Sequence, residues 1–195
     1  MTDITKIKHE LGSMLSQKRF QHSMAVAYQA SILADIYGVD KEKAYLAGLV
    51  HDACKEISND EQLKIINKFG IMLTDIEKTE PNIWHGYAAS GFITEKWDIT
   101  DIDVCNAVKF HTCGRGNMTI LEKIIFVADL TSLDRKYPDS EKIRSISLSS
   151  LDEAIYNCYL YVIPFILNRK GRITQNTLDC YNDAVKNMIE SEKRD

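Results

Sequence analysis

The segment AYLAGLVHDACKEIS, residues 44–58, places His51 and Asp52 side by side at the end of a run of small and apolar residues. Such a run is typical of a buried helix. A charged aspartate is rarely fully buried unless it is paired with a cation or bound to a metal. Adjacent helical residues point about 100° apart, so both side chains can reach one cation only near a helix end. The segment therefore predicts a buried helix that ends at a polar site.

Composition excludes several classes of protein. The 195 residues carry a net charge of −4 and are 45% hydrophobic, which is typical of a soluble globular domain and argues against non-specific nucleic-acid binding. No apolar run is long enough for a membrane span, and the first residues lack the apolar segment of a secretory signal. Five cysteines without CxxC spacing predict reduced thiols in the cytoplasm rather than disulfides or a zinc ribbon.

Long stretches with a 3.6-residue hydrophobic period predict an all-α fold in a single domain spanning residues 1–195. Asp40 is predicted to cap the helix that contains the HD pair, and Ser58 or Asn59 to begin the next helix. Residues 71–84 are predicted to be irregular, and Pro164 to bend or break the longest helix. The other helices are predicted at about residues 3–16, 20–37, 85–97, 101–111, 119–130, 149–168 and 175–190.

Four of the five histidines lie with two aspartates on predicted apolar helices, whereas His9 lies on a polar helix face and is interpreted as a surface residue. These six residues are His22, His51, Asp52, His85, His111 and Asp129. Each has an ordinary explanation by itself, as a hydrogen-bonded core or cap residue. Together they are explained by one feature, a metal centre between helices. An uncompensated carboxylate at Asp129 would cost several kcal/mol, and a divalent cation removes that cost.

The order of these residues resembles the HD-domain superfamily of metal-dependent phosphohydrolases. A closer similarity, to the YqeK family of symmetrical bis(5'-nucleosyl)-tetraphosphatases, is carried by the blocks RFQHSMAVA, AGLVHDACKEI, HGYAAS, HTCGRGNMTILEKIIFVADL and DRKYP. The likeness covers nearly the whole chain, including GRITQNTLDCYN. It implies an HD-domain helical bundle that hydrolyses diadenosine tetraphosphate to two ADP at a metal site between helices.

The resemblance also implies a dinuclear centre, with iron as the metal, although imidazole and carboxylate suit manganese, nickel and zinc as well. Six ligands around one ion would leave no open position for water and substrate, whereas two ions that share Asp52 leave such positions. Two ions can hold a hydroxide that attacks in line. The resemblance assigns His22, His51, Asp52 and Asp129 to one ion, and Asp52, His85 and His111 to the other.

A tetraphosphate carries several negative charges, so basic side chains are expected near the metals. Lys55 lies three residues after Asp52 and is predicted to be catalytic together with it, by stabilising charge in the transition state. Thr174 is predicted to begin a helix, whose N-terminal N–H groups favour anions. The other predicted substrate contacts are Arg19, Thr112, Arg115, Arg135, Lys170 and Arg172. For each arginine the alternative is a solvated surface charge.

Two alternatives stand beside this function. Within the enzyme class, the chain could be another HD-domain nucleotidase or a cyclic-nucleotide phosphodiesterase. From another class, it could be a nucleotide sensor without turnover, although a sensor has little need of open metal positions and Lys55. The expected partners are a dinucleoside polyphosphate and the product ADP, with no nucleic acid and no membrane. A homodimer is compatible with the sequence, which does not specify the oligomeric state.

Overall fold

The computed structural model describes residues 3–193, whose regular structure consists of ten α-helices and two short 3-10 turns. The helices are α1 (Ile4–Met14), α2 (Gln17–Tyr37), α3 (Lys41–Val50), α4 (Asn59–Lys68), α5 (Trp84–Trp97), α6 (Ile102–Phe110), α7 (Ile120–Thr131), α8 (Ser140–Ile146), α9 (Leu151–Asn168) and α10 (Gln175–Glu192). The predicted all-α class is confirmed. Residues 1, 2, 194 and 195, which the single-domain prediction includes, lie outside the described residues.

Capping residues explain why the helices begin where they do. Asp40 accepts hydrogen bonds from two N–H groups at the start of α3, as predicted. Ser58 precedes α4 and forms a capping box with Glu61. Thr174 precedes α10, and its side chain accepts from the N–H of Thr177. These local signals are strong because each satisfies backbone donors that the first helical turn leaves unpaired.

Two features differ from the sequence-based prediction. Pro164 does not break α9, which runs without interruption to Asn168. The carbonyl of Leu160, which loses its partner at Pro164, lies on an exposed part of the helix where water can bind it. The short helix α8 was not predicted at all. Residues 71–84 are irregular as predicted, apart from the 3-10 turns Glu77–Thr79 and Pro81–Ile83 and the first residue of α5.

Helix α7 lies at the centre of the bundle, and its side chains from Ile124 to Ala128 are fully buried. It contacts α2, α3, α6, α8 and α9. Around it, α2 packs along α3, α5 packs between α4 and α6, and α9 pairs with α10. None of the helices in the described part of the chain is long and apolar enough to cross a membrane.

A close approach of two backbones sets the position of α3. A Cβ atom added at Gly48 would lie 2.8 Å from the Cα of Ala27 on α2, closer than real carbon atoms approach. Glycine at this position therefore allows α3 to lie directly against α2. The end of α3 carries the HD pair, so this contact also fixes where His51 and Asp52 lie.

We expect Gly48→Ala to lower the free energy of unfolding by about 1–3 kcal/mol, because the added methyl group must push two backbones apart. Urea denaturation measures this change. Gly12→Ala is the matched control, since the nearest atom to its added Cβ is a Phe20 ring carbon at 3.5 Å. The control should be neutral or stabilising by up to about 1 kcal/mol. Equal stability of the two variants would contradict the proposed tight contact.

Candidate metal centre

Asp52 lies directly after α3 with 3% of its surface exposed, and its two oxygens face different histidines. Oδ2 lies 3.4 Å from His51 Nε2 and accepts a hydrogen bond from Arg19 Nη1 at 2.8 Å. Oδ1 lies 3.3 Å from His85 Nε2 and 3.6 Å from His111 Nε2. The carboxylate therefore lies between two groups of imidazoles, with one oxygen directed to each group.

His51 and His111 cap the C-terminal ends of α3 and α6, as the sequence pattern indicates. The Nδ1–H of His51 donates to the carbonyl of Gly48, and that of His111 to the carbonyl of Val108, both at 2.7 Å. Because a carbonyl can only accept, these bonds fix the tautomer and leave a lone pair on each Nε2. The Nε2 atom of His51 is buried and has no hydrogen-bond partner among the described residues.

His22 lies between two carboxylates. Its Nε2 is 2.9 Å from Asp129 Oδ1, and its Nδ1 is 2.8 Å from Asp134 Oδ2. Asp129, near the end of α7, is 14% exposed at its side chain and also binds the guanidinium of Arg135. Arg135 donates a further bond from Nε to the backbone carbonyl of Asp129 at 2.7 Å. These contacts place α2 and the C-terminal end of α7 next to the C-terminal end of α3.

Lys55 reaches the centre through a turn. Residues 51–56 do not continue α3 but form turns, in which the N–H of Lys55 donates to the carbonyl of Asp52 at 2.9 Å. The prediction that Lys55 and Asp52 share one face of a helix is therefore wrong. The tighter turn nevertheless places Lys55 on the same side as Asp52. Its Nζ lies 3.2 Å from His85 Nε2, and His85 Nε2 lies 3.2 Å from His111 Nε2.

The protein environment shifts the pKa values of the histidines in different directions. Burial lowers the pKa of His51, and it lowers the pKa of His85 to about 4, so both are neutral near pH 7 and can bind a metal. Burial alone would also lower the pKa of His22, but hydrogen bonds to Asp129 and Asp134 raise it to about 9. Burial opposes ionisation of Asp52, but its contacts with His51, His111 and His85 hold its pKa well below the usual value. The two carboxylates therefore favour the protonated form of His22.

All six predicted metal ligands lie together in the structure. The described part of the chain contains two groups of three residues whose potential ligand atoms lie within 4.8 Å of one another inside each group. One group is His22, His51 and Asp129, and the other is His51, Asp52 and His111. His85 lies beside the second set through its contacts with Asp52 and His111. His9 is exposed on α1, away from the core, as predicted for a surface residue.

A cleft of about 390 Å³ opens beside this centre. Its basic lining residues are Lys55, Arg135, Arg169 and Arg172, and its apolar ones are Ile83, Val162, Phe165 and Ile166. The predicted substrate contacts Thr112 and Thr174 also line it. The hydroxyl oxygen of Thr112 is buried and has no partner among the described residues, so it has hydrogen-bonding capacity left for a ligand.

Three predicted substrate contacts lie elsewhere. Arg19 is bound to Asp52 at the centre itself. Arg115 does not line the cleft, because its guanidinium donates from Nη2 at 2.9 Å to the buried carboxylate of Glu122 and lies over the ring of Phe110. Lys170 is exposed in the turn after α9 and is not among the residues that line the cleft. The backbone of this turn therefore places Arg169 and Arg172, rather than Lys170, along the cleft.

Comparison with known proteins identifies the fold and the relatives. The HD domain family model matches residues 19–134, more than half of the chain. A symmetrical bis(5'-nucleosyl)-tetraphosphatase from Halalkalibacterium halodurans is 36% identical over 171 residues, which are 88% of this chain and 91% of that protein. Another from Staphylococcus aureus is 33% identical, over 92% of this chain and 93% of that protein.

The crystal structure of a predicted HD superfamily hydrolase involved in NAD metabolism, from Clostridium acetobutylicum, matches with a TM-score of 0.91. It is 34% identical, and the match covers 96% of this chain and 99% of that chain. The chain belongs to the HD domain family. All six clustered histidines and aspartates lie within residues 19–134, the range that the family model matches.

The residues of this HD domain fit divalent metal ions. Imidazole nitrogen and carboxylate oxygen are ordinary ligands of such ions. The buried Nε2 of His51 has a lone pair and no partner, and a metal ion would satisfy it. Neutral imidazoles give the buried Asp52 carboxylate no counter-charge, and a divalent ion would supply the positive charge that offsets its desolvation. Asp52 therefore has the environment expected of a metal ligand in this family.

Asp134, which orients His22, was not predicted as a site residue from the sequence. Its carboxylate is 2.8 Å from His22 Nδ1 and also accepts from the hydroxyl of Ser132. A carboxylate that holds the second nitrogen of a histidine fixes the tautomer and makes the first nitrogen a better ligand. Asp134 lies in the quoted block DRKYP and five residues after Asp129, but no helical periodicity connects these two residues, because α7 ends between them.

We expect Asp134→Asn to weaken metal binding by roughly 10- to 100-fold, because asparagine keeps the shape of the side chain but removes the charge behind His22. Competition with a chelator measures the affinity. Asp139→Asn is the matched control, since Asp139 is an exposed neighbour whose side chain makes no capping bond. Equal affinities of the two variants would show that Asp134 does not position His22.

Proposed function

We propose that this chain hydrolyses diadenosine tetraphosphate symmetrically to two ADP, using two divalent metal ions. The proposal rests mainly on the position of Asp52 at the inner end of a basic cleft. Its two carboxylate oxygens face separate groups of imidazoles. The names of the two tetraphosphatase relatives, which match about nine tenths of the chain, support the substrate. The net charge of −4 favours such a small-molecule substrate over nucleic acid.

The proposed ligand sets follow the two sides of Asp52. One ion would be held by His22, His51, Asp52 and Asp129, and the other by Asp52, His85 and His111. Bound ions would neutralise charge on the phosphate oxygens and activate the attacking water. We propose iron, the metal that the family resemblance implies. Metal analysis of protein purified without added metal tests this proposal, and two equivalents of iron per chain are expected.

The cleft explains why the products would be identical. Its volume of about 390 Å³ lies near the lower end of the range for small-molecule sites, about 300–1,000 Å³, which suits one half of the substrate better than both. If that half consists of a base, a ribose and two phosphates, the reacting phosphorus is the second from the base. The leaving group is then the other ADP. Arg135 and Arg172 are the proposed contacts of the retained phosphates.

The basic side chains have separate proposed roles. Lys55 is buried against His85, where burial lowers its pKa, and its ammonium is directed to the centre. It would stabilise the negative charge that develops on the phosphate oxygens. Thr112 would donate from its unpaired hydroxyl, and the N-terminus of α10 after Thr174 would attract a phosphate. The reaction is proposed to take place in the cytoplasm, since all five cysteines are free thiols.

We expect Lys55→Ala to keep both metal ions and to lower kcat by roughly 10²–10³, the usual loss for one preorganised donor to developing charge. Steady-state kinetics and metal analysis of the same sample measure the two effects. Lys64→Ala is the control, because Lys64 is an exposed lysine on the neighbouring helix α4. An unchanged rate together with reduced thermal stability would show that the stem of Lys55 only packs against the core.

Hydrolysis of diadenosine tetraphosphate in ¹⁸O-labelled water tests the function directly. We expect two ADP molecules, one of which carries a single labelled oxygen, and no labelled AMP. Mass spectrometry of the separated nucleotides measures this outcome. Asp52→Ala removes the shared ligand and is the control for contaminating hydrolases, so it should release no ADP. AMP and ATP as the main products would contradict symmetrical cleavage.

A further inference from the structure

The cleft beside the metal centre contains a carboxylate among its basic residues. Of the described residues that line it, Lys55, Arg135, Arg169 and Arg172 are basic, and only Glu80 is acidic. A site that binds only phosphates would gain from a cation or a hydroxyl at this position, because a carboxylate repels an anionic ligand. The position of Glu80 is therefore suited to a ligand group that donates hydrogen bonds.

The structure holds the Glu80 side chain in place. Its Oε1 accepts a hydrogen bond from the backbone N–H of Arg172 at 2.9 Å, which joins the loop after α9 to the segment before α5. No ion pair or other hydrogen bond of its side chain is found among the described residues, although three arginines line the same cleft. The second oxygen, Oε2, is therefore free to accept from a ligand.

Glu80 Oε2 lies close to Gly171, next to Ile166. A Cβ atom added at Gly171 would lie 3.9 Å from Glu80 Oε2 and 3.2 Å from Ile166 Cγ2, so the oxygen lies near the aliphatic wall of the cleft. Phe165, on the same wall, is 48% exposed and carries the guanidinium of Arg169 at 5.1 Å from its ring centre. An exposed aromatic ring is suited to contact a nucleobase. Glu80 therefore lies beside the part of the cleft that fits a nucleoside.

We propose that Glu80 is a specificity-determining residue that accepts hydrogen bonds from the ribose hydroxyls of the nucleotide half bound in the cleft, an inference that rests on the proposed function. A ribose offers two adjacent O–H donors, and an ionised carboxylate only accepts. A carboxylate plays the same part on the ribose of dinucleotides in other nucleotide-binding folds. The phosphates then lie towards Lys55 and Arg135, and the ribose towards Glu80.

This arrangement predicts selection for ribonucleotides. The wild-type protein is expected to hydrolyse diadenosine tetraphosphate with a kcat/KM roughly 10- to 100-fold above that for its bis(2'-deoxy) analogue, mainly through a lower KM, since a hydrogen bond to a charged group contributes that much. In Glu80→Ala the ratio should fall to about 1. In Glu80→Gln, which keeps an acceptor for the Arg172 N–H, it should lie between these values.

Both substrates must be measured on wild type, the two Glu80 variants and a control, Glu95→Ala. Glu95 is an exposed glutamate on α5 that pairs with Lys68, so its removal changes the net charge equally without touching the cleft. The control should keep the wild-type ratio. A loss of activity in Glu80→Ala that is equal for both substrates would overturn the proposal and leave Glu80 as a tether of the Arg172 loop.

Two further measurements separate this inference from its premise. If Glu80→Ala changes the preference between diadenosine and diguanosine tetraphosphate but not the ribose preference, the donor is the base and the proposal is wrong. If wild type hydrolyses neither substrate, the proposed function fails, and calorimetric binding of ADP and 2'-deoxy-ADP then tests Glu80 alone. Tighter binding of ADP that disappears in Glu80→Ala would support the ribose contact, whereas equal binding of the two nucleotides would overturn it.

Discussion

The burial of the Asp52 carboxylate constrains every element around it. Three helix C-terminal ends meet near this group, those of α3, α6 and α7, at His51, His111 and Asp129. A helix C-terminus carries partial negative charge, so each of these ends adds to the negative potential of the two aspartates. Cations at this centre offset that negative potential. The same charge distribution that would destabilise a bare core makes this one a site for divalent ions.

Small residues allow the helices to converge. Besides Gly48, Gly86 on α5 has no room for a side chain, since an added Cβ would lie 2.9 Å from the carbonyl oxygen of Lys109 and 3.3 Å from the His111 ring. The imidazole of His111 thus packs directly against the α5 backbone, next to His85. The precision of the centre comes from these backbone contacts and from the bonds of His51 and His111 to their own helices, rather than from the ligands alone.

Much of this architecture could be read from the sequence because it depends on local rules. The caps at Asp40 and Thr174 follow from residue type, and the cluster at the centre follows from histidines and aspartates that interrupt apolar helices. Pro164 was misjudged because a proline is tolerated where the freed carbonyl faces water, which depends on exposure in the folded chain. The roles of Asp134 and Arg115 were missed because they depend on tertiary contacts. Asp134 contacts His22 and Arg115 contacts Glu122, and these partners lie on other elements or beyond a loop. No periodicity encodes such contacts.

Two arginines bind the carboxylates of the centre, and one of them, Arg135, also lines the cleft. Arg135 uses Nε and Nη2 on Asp129, and Arg19 uses Nη1 on Asp52, so each guanidinium keeps N–H donors that its carboxylate does not occupy. In the proposed reaction these donors would bind phosphate while the same side chains hold the ligand carboxylates in place. Substrate and metal would then stabilise one another, because each phosphate contact also fixes an arginine against a ligand. A lysine could not serve both partners in this way, since its single ammonium lacks the planar fork of donors that the guanidinium provides.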